Sequence, residues 1–191
     1  MTLLALIRHM PTVWNAEGRL QGRLDPPLDA AAAPEWRLPP ELTGCRFLTS
    51  PLARARETAG RLGVAAEPDT RLAEMSWGAW EGRTLAELRV EFGPAMADLE
   101  ARGLDFRAPG GESPRDVQQR LRPLLAELAA SGRATAAVTH KGVIRALLAL
   151  ATGWDMLGKP PHRLSWSAAH LLRLDSDGQP RVERLNLPLV R

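Results

Sequence analysis

Leu3-Leu4-Ala5-Leu6-Ile7-Arg8-His9 is an unbroken apolar run that stops on a cation and an imidazole. A short apolar run without alternation suits a strand buried on both faces, as in the middle of a parallel sheet. Three more segments read as strands. Arg46 to Ser50 ends at Ser50-Pro51; Ala134 to Thr139 follows Gly132 and ends at His140; Ala168 to Leu174 runs into a turn at Asp175-Ser-Asp-Gly178. Arg181 to Arg184 reads as a short edge strand beside the last of these.

Helical patterns fill the gaps. Ser50-Pro51 is a plausible cap and first-turn proline for a helix over Leu52 to Leu62. Thr84-Leu-Ala-Glu87 has the form of a capping box and opens a helix to about Phe92. Ser113-Pro-Arg-Asp116 opens a long helix with Val117, Leu121, Leu124, Leu125 and Leu128 near helical spacing. Gly142 to Thr152 is an apolar helix stopped by Gly153, and the run Ala30 to Ala33 also reads as helical. Strands alternating with helices predict an α/β three-layer sandwich, its mostly parallel central sheet flanked by helices on both faces. The expectation is one domain over 1–191, with a helical insertion at about 80–112. Ligands of such sheets bind at the carboxyl ends of the strands. Here three strands end in related chemistry: Arg8-His9, Thr49-Ser50 with Arg54 one turn on, and His140.

Composition narrows the class. The chain has 191 residues, enough for one domain with a real core. No apolar run reaches the roughly 20 residues of a membrane helix. Met1 to Arg8 has no basic start before it and no small-residue cleavage site after it, so it reads as a strand and not a signal peptide. Cys45 is the only cysteine, which excludes an internal disulfide framework and a cysteine-built zinc site. These features point to the cytoplasm, with no membrane association. The net charge is +3, and the basic residues are nearly all arginine; lysine stands only at Lys141 and Lys159. Arginine grips phosphate in bidentate fashion, although a GC-rich genome also favours it. No dense basic run is present and aromatics make up only 5% of the chain, so a nucleic-acid surface has no support.

Two histidines and several arginines converging on strand ends suit a bound phosphate. A neutral imidazole is a competent nucleophile toward phosphorus, and covalent catalysis splits one hard displacement into two easier ones. The leaving alkoxide needs a proton, so a carboxyl should stand nearby. Glu74 precedes Met75-Ser-Trp-Gly-Ala-Trp-Glu-Gly82, a loop rich in aromatics and glycine that would shield such a group from water. Taken singly, each residue has a plainer use: a packed histidine, a solvated arginine, a surface acid.

Six blocks in order carry a resemblance: Arg8-His9-Met-Pro-Thr12-Val-Trp14-Asn15; Gln21-Gly22-Arg-Leu-Asp25; Thr49-Ser50-Pro-Leu-Ala-Arg54-Ala-Arg56-Glu-Thr58; Leu72-Ala-Glu74-Met-Ser-Trp77-Gly-Ala-Trp80-Glu81-Gly82; Pro109-Gly-Gly-Glu112-Ser113; and Val138-Thr139-His140-Lys141-Gly142. Together they resemble the histidine phosphatase superfamily, the phosphoglycerate mutase-like proteins, in its phosphatase branch. The resemblance implies that His9 is phosphorylated, that Arg8, Arg54 and His140 surround the phosphoryl group, and that Glu74 is the general acid and later the base. It implies hydrogen bonds from Thr12 and Asn15, adds Gln21 to the substrate-binding set, and leaves out Arg56, which lies on another helical face. Glu112 and Ser113 read as structural. No cofactor and no metal is implied. The partner is a small phosphorylated metabolite, such as a nucleotide, a sugar phosphate or α-ribazole phosphate, and the chain is a monomer or homodimer.

The chain departs from the family pattern at three places. Met10 stands where glycine is usual, and either lines the substrate mouth or crowds it. Pro11 stiffens the loop and removes a backbone donor. Lys141 either reaches substrate oxygens or points to solvent. Trp14, Trp77 and Trp80 either wall the mouth or pack the loops. The alternatives to a phosphatase are a cofactor-dependent phosphoglycerate mutase, for which Trp80 to Pro109 leaves little room for a lid, and a phospholigand-binding pseudoenzyme. The apolar stretch Leu185 to Val190 covers either the chain's own sheet or a partner's.

Overall fold

The computed structural model describes residues 1–189 and centres on six strands in the order β3-β2-β4-β1-β5-β6. These are β1 (Thr2–Arg8), β2 (Arg46–Thr49), β3 (Ala66–Pro68), β4 (Thr135–Thr139), β5 (Ala168–Leu174) and β6 (Pro180–Pro188). β1, β2, β3 and β4 are mutually parallel, while β5 and β6 run antiparallel on one side. Six α-helices accompany them: α1 (Val13–Glu17), α2 (Ala53–Arg61), α3 (Leu85–Phe92), α4 (Pro94–Glu100), α5 (Pro114–Ser131) and α6 (Lys141–Thr152).

Alternate side chains of each central strand feed opposite faces. Leu4 and Leu6 of β1 and Ala137 of β4 join a core with Leu121, Leu125 and Leu128 of α5 and Val143, Ile144 and Leu147 of α6. Ala5 and Ile7 of β1 and Ala136 of β4 face the other way, onto Leu28, Trp36 and Leu42. Val138 packs there against Ala55 and Ala59 of α2. The sheet is thus covered on both faces, which is why its central strands read as continuous apolar runs. A third cluster, Trp80, Leu88, Met96 and Ala108 with Phe92 and Phe106 around it, holds α3 and α4 together.

Local chemistry sets the ends of the elements. Thr84 Oγ1 accepts from the Glu87 N–H and the Glu87 carboxylate from the Thr84 N–H, closing the capping box of α3. Ser113 and Asp116 do the same for α5, which stops at Gly132 in the left-handed region. Three expectations need correction, and one strand has no counterpart among them. Ala30 to Ala33 is a turn, because Asp29 accepts from the Ala31 and Ala32 N–H groups and holds the chain in a turn instead of a helix. The N-cap of α2 is Leu52 and not Ser50 or Pro51; its first turn is capped from a distance by Asp25. β6 extends well past Arg184, because Asn186 turns through a left-handed backbone (φ 60°) and Leu187 returns to the core. β3 has no apolar run of its own; it follows the edge of β2. Leu187 and Leu189 are buried against the chain's own sheet; Val190 lies outside the described residues.

Leu121 is fully buried at the centre of the α5–α6 face. Leu121→Ala should lower unfolding stability by about 2–5 kcal/mol, read as a lower urea midpoint at unchanged m-value. A shift under 1 kcal/mol would mean that this face is loosely packed.

Candidate functional site

Parallel pairing brings the ends of β1, β2 and β4 to one edge. Arg8 is level with Thr139, and Thr49 with Val138. The ladder continues one step: the His9 N–H donates to the Thr139 carbonyl at 2.9 Å, and the Ser50 N–H to the Val138 carbonyl at 2.9 Å. His9 and His140 therefore stand side by side, ring centroids 5.1 Å apart and planes tilted by 54°, both almost wholly buried.

The hydrogen bonds of His9 fix its tautomer. Its Nδ1 lies 2.7 Å from the Met10 carbonyl oxygen. A carbonyl only accepts, so Nδ1 carries the proton and Nε2 the lone pair. Burial first, then the charges of Arg8 and Arg54, pushes His9 well below its ordinary pKa. His140 is lowered in the same way by burial and by His9, Arg54 and Arg8. Its Nε2 meets Ser50 Oγ at 2.7 Å, and its Nδ1 has no partner among the described residues. A Ser50 hydroxyl donating to Nε2 leaves the proton on Nδ1.

Arg54 is buried and bound on the side away from its Nε. Nη1 donates to the Leu24 carbonyl at 2.7 Å and to Asp25 at 3.1 Å, and Nη2 to the Gly22 carbonyl at 2.8 Å. Asp25 also accepts from the Ala53 and Arg54 N–H groups at the start of α2. Thr58 carries the bond chain onward. Its Oγ1 donates to the Arg54 carbonyl at 2.7 Å and accepts from the Met10 N–H at 2.9 Å. Burial weakens the hold of Arg8 and Arg54 on their protons, and Glu74 offsets part of this for both. Nε of Arg8 and Nε of Arg54 are buried without an acceptor among the described residues.

Glu74 is buried and held by backbone. Oε1 accepts from the Met75 N–H at 2.8 Å, and Oε2 from the Gly142 N–H of the first turn of α6 at 3.2 Å. A Cβ on Gly142 would stand 2.4 Å from Glu74 Oε1, so the close approach needs glycine. Arg120 of α5 clamps the segment from below by donating to the Arg71 and Ala73 carbonyls and to Glu112. Glu112 accepts from the Ser76 N–H at 2.9 Å. This gives Glu112 the structural role expected of it.

The structure thus gathers Arg8, His9, Arg54, Glu74 and His140. Thr12 and Asn15 are bonded to each other: Asn15 Oδ1 accepts from the Thr12 N–H at 2.9 Å and Oγ1 at 3.2 Å, leaving the Asn15 amide group free to donate. Gln21 is buried in the loop that binds Arg54, and its Oε1 has no partner among the described residues. Arg56 is exposed, as its helical face requires. Lys141 lies 5.7 Å from the Trp166 ring. Met10 needs correction. Its side chain is 1% exposed in the core with Ile7, Leu28 and Trp36, so it does not line the mouth. Its φ is not positive either, so nothing in the backbone demands glycine. Trp80 likewise packs the α3–α4 cluster. Sequence reasoning missed Asp25, Ser50, Thr58 and Arg120 as supports. Asp25, Ser50 and Thr58 sit inside quoted blocks and Arg120 lies outside them all, and only three-dimensional partners reveal their use. Among the described residues no three or more His, Cys, Asp or Glu side chains group as metal ligands, and no helix is long and apolar enough to cross a membrane.

Comparison with known proteins gives a consistent picture. The family model described as histidine phosphatase superfamily (branch 1) matches residues 4–188. A glucosyl-3-phosphoglycerate phosphatase of Mycobacterium tuberculosis is 33% identical over 178 residues, covering 81% of this chain and 79% of the relative. A 2,3-bisphosphoglycerate-dependent phosphoglycerate mutase of Gloeobacter violaceus is 32% identical over 164 residues, covering 78% and 74%. Among solved structures, a mycobacterial glucosyl-3-phosphoglycerate phosphatase in complex with VO3 superimposes with a TM-score of 0.79 at 28% identity, over 100% of both chains.

The buried imidazoles have a thermodynamic consequence. Their folded-state pKa values lie below the ordinary 6.5, and His170 is pushed down to about 4 by burial. Between those values and 6.5 the unfolded chain binds protons that the folded chain does not. Stability should therefore fall as pH drops below about 6.5, by up to about 1.4 kcal/mol per pH unit for each such histidine. Urea unfolding at pH 7.5, 6.5 and 5.5 should show a falling midpoint, and His140→Gln should make the slope shallower. A flat wild-type profile would contradict neutral, buried imidazoles.

Proposed function

Since the chain belongs to the histidine phosphatase superfamily, we propose that it is a phosphatase that hydrolyses small phosphomonoesters through a phosphohistidine on His9. One observation carries this reading. His9, with Nε2 unprotonated, shares a buried cluster with Arg8, Arg54 and His140, and each of these three carries a buried side-chain nitrogen without a partner among the described residues. Buried donors without acceptors cost roughly 1–3 kcal/mol each. Such a cluster is tolerated where a ligand supplies the acceptors, and a phosphoryl group carries three equatorial oxygens.

In this reading the Nε2 lone pair attacks phosphorus as the P–O bond to the alcohol breaks. Arg8, Arg54 and His140 neutralise the equatorial oxygens, which is most of what phosphoryl transfer requires. Glu74, which takes up a proton as the phosphate dianion enters beside it, gives that proton to the departing alkoxide. As carboxylate it then takes a proton from water, whose oxygen attacks phosphorus and breaks the P–N bond, releasing phosphate and neutral His9. Asn15 donates to the bound phosphoryl group from the rim. The chemistry asks for no metal or cofactor.

The relatives' names point to esters derived from phosphoglycerate as first candidates, beside sugar phosphates, nucleotides and α-ribazole phosphate. Relatives named as bisphosphoglycerate-dependent mutases support a second reading, in which the phosphohistidine is returned to a rearranged substrate. Release of inorganic phosphate from 3-phosphoglycerate identifies a phosphatase; formation of 2-phosphoglycerate primed by the bisphosphate identifies a mutase.

His9→Ala should lower p-nitrophenyl phosphate hydrolysis in EDTA by at least about a thousandfold, as expected for loss of a covalent nucleophile; near-normal turnover would remove the nucleophile assignment, and a wild-type rate recovered only with added metal would contradict the mechanism. Gly142→Ala tests Glu74. In a helix this change usually stabilises by about 0.5–1 kcal/mol, but here the new Cβ displaces the carboxyl. Alkyl phosphates should lose more rate than p-nitrophenyl phosphate, whose leaving group needs little protonation. Equal losses would count against an acid at position 74.

A further inference from the structure

A cleft of ≈ 370 Å³ opens between α6, whose N-cap is His140, and the long 153–167 connection to β5. Lys141, Arg145, Lys159 and Arg163 line it together with Trp154 and Trp166. No acidic side chain lines it, and none of the four cations forms an ion pair among the described residues. Elsewhere in the molecule ion-paired arginines are common, among them Arg71, Arg115 and Arg120, so this concentration of unpaired charge stands apart.

The cleft adjoins the phosphoryl site through two of its lining residues, Lys141, which follows His140 in the chain, and Trp166. Trp166 is shared: the Arg8 guanidinium lies 5.3 Å from its ring centroid and the Lys141 ammonium 5.7 Å. Arg145 is fixed over Trp154 at 5.1 Å. Aromatic faces hold cations in place without neutralising them. Like charge remains concentrated there. Burial, Arg8 and Arg145 all push the Lys141 ammonium below its ordinary pKa. A second anion in the cleft relieves that repulsion. The volume is far larger than one inorganic ion needs and falls in the range of organic ligand sites.

We propose that this cleft is a subsite for the alcohol half of the substrate, and that it selects phosphomonoesters whose alcohol carries a second anionic group, a carboxylate or a second phosphate. The inference rests on the phosphatase reading of the neighbouring site. Arg145 and Arg163 supply planar donor forks, Lys141 and Lys159 mobile point charges, and the two tryptophans form the apolar walls. Lys141 thus acquires the substrate-facing role that its place after His140 left open.

Two matched pairs of esters test it: 3-phosphoglycerate against glycerol 3-phosphate for the carboxylate, and fructose 1,6-bisphosphate against fructose 6-phosphate for the second phosphate. In at least one pair the anionic ester should have kcat/KM about tenfold or more higher, the worth of one charge-assisted hydrogen bond. Arg145→Gln, and separately Lys159→Gln/Arg163→Gln on the exposed rim, should bring that ratio toward one through KM. Calorimetric titration of the same pairs into His9→Ala protein reads the cleft without turnover. A binding preference that the cleft substitutions abolish, in a protein that hydrolyses no ester, would overturn the phosphatase reading and keep the subsite. Hydrolysis of p-nitrophenyl phosphate with a ratio near one in both pairs would overturn the subsite and keep the phosphatase. So would a preference unchanged in both variants.

Discussion

The hydrogen-bond register of three parallel strands governs this molecule. β4 lies between β1 and β2, level with Arg8 on one side and Thr49 on the other. A one-residue slip of β1 would turn Leu4 and Leu6 out of the α5–α6 core and move His9 off the level of His140. Because the apolar alternation that fills both faces also fixes the register, the core and the site are set by the same pairing. The chemistry at the strand ends needs no separate device to align it.

Alignment alone would bring positive charges together at a cost. Arg8, Arg54 and two imidazoles share a buried space, and the structure answers in two ways. The histidines stay neutral because burial and the neighbouring cations oppose their charging. Arg54 keeps its charge because Asp25 and two backbone carbonyls bind its terminal nitrogens. Asp25 also completes the first turn of α2, so the helix that carries Arg54 and the charge that Arg54 needs depend on one side chain. Glu74 adds the remaining negative charge, held by the Met75 and Gly142 amides.

Much of this was legible in the sequence where local rules decide. β5 and the capping boxes at Thr84 and Ser113 depend on neighbours within a few residues, and they stand where the pattern puts them. The residues that the structure gathers at the strand ends were legible because their types, in order, suit a bound phosphate. What escaped has long-range causes. Asp25 caps a helix that begins 28 residues later. Arg120 binds carbonyls 47 and 49 residues back. β3 owes its existence to β2, and the end of β6 to a left-handed turn at Asn186 that breaks the alternation. Ala30 to Ala33 shows helix propensity yielding to one well-placed carboxylate. The basic cleft was hidden because Arg145, Lys159 and Arg163 look like scattered surface charges until the 153–167 connection folds back over α6.

Met10 shows how a departure from a family pattern can leave the geometry of a site intact. Beside a nucleophile, a bulky residue suggests a narrowed mouth. Past the end of β1 the alternation lapses, and the side chain of residue 10 enters the core among Ile7, Leu28 and Trp36 while its backbone stays in the site. That backbone does two things any residue can do. Its carbonyl accepts from His9 Nδ1 and sets the nucleophilic tautomer, and its N–H donates to Thr58, which is bonded in turn to the Arg54 carbonyl. A larger side chain here anchors the His9 loop from beneath instead of reaching the substrate. Residue 10 therefore acts on packing and rigidity, and its side chain takes no part in the surface where Lys141 and its neighbours line the basic cleft.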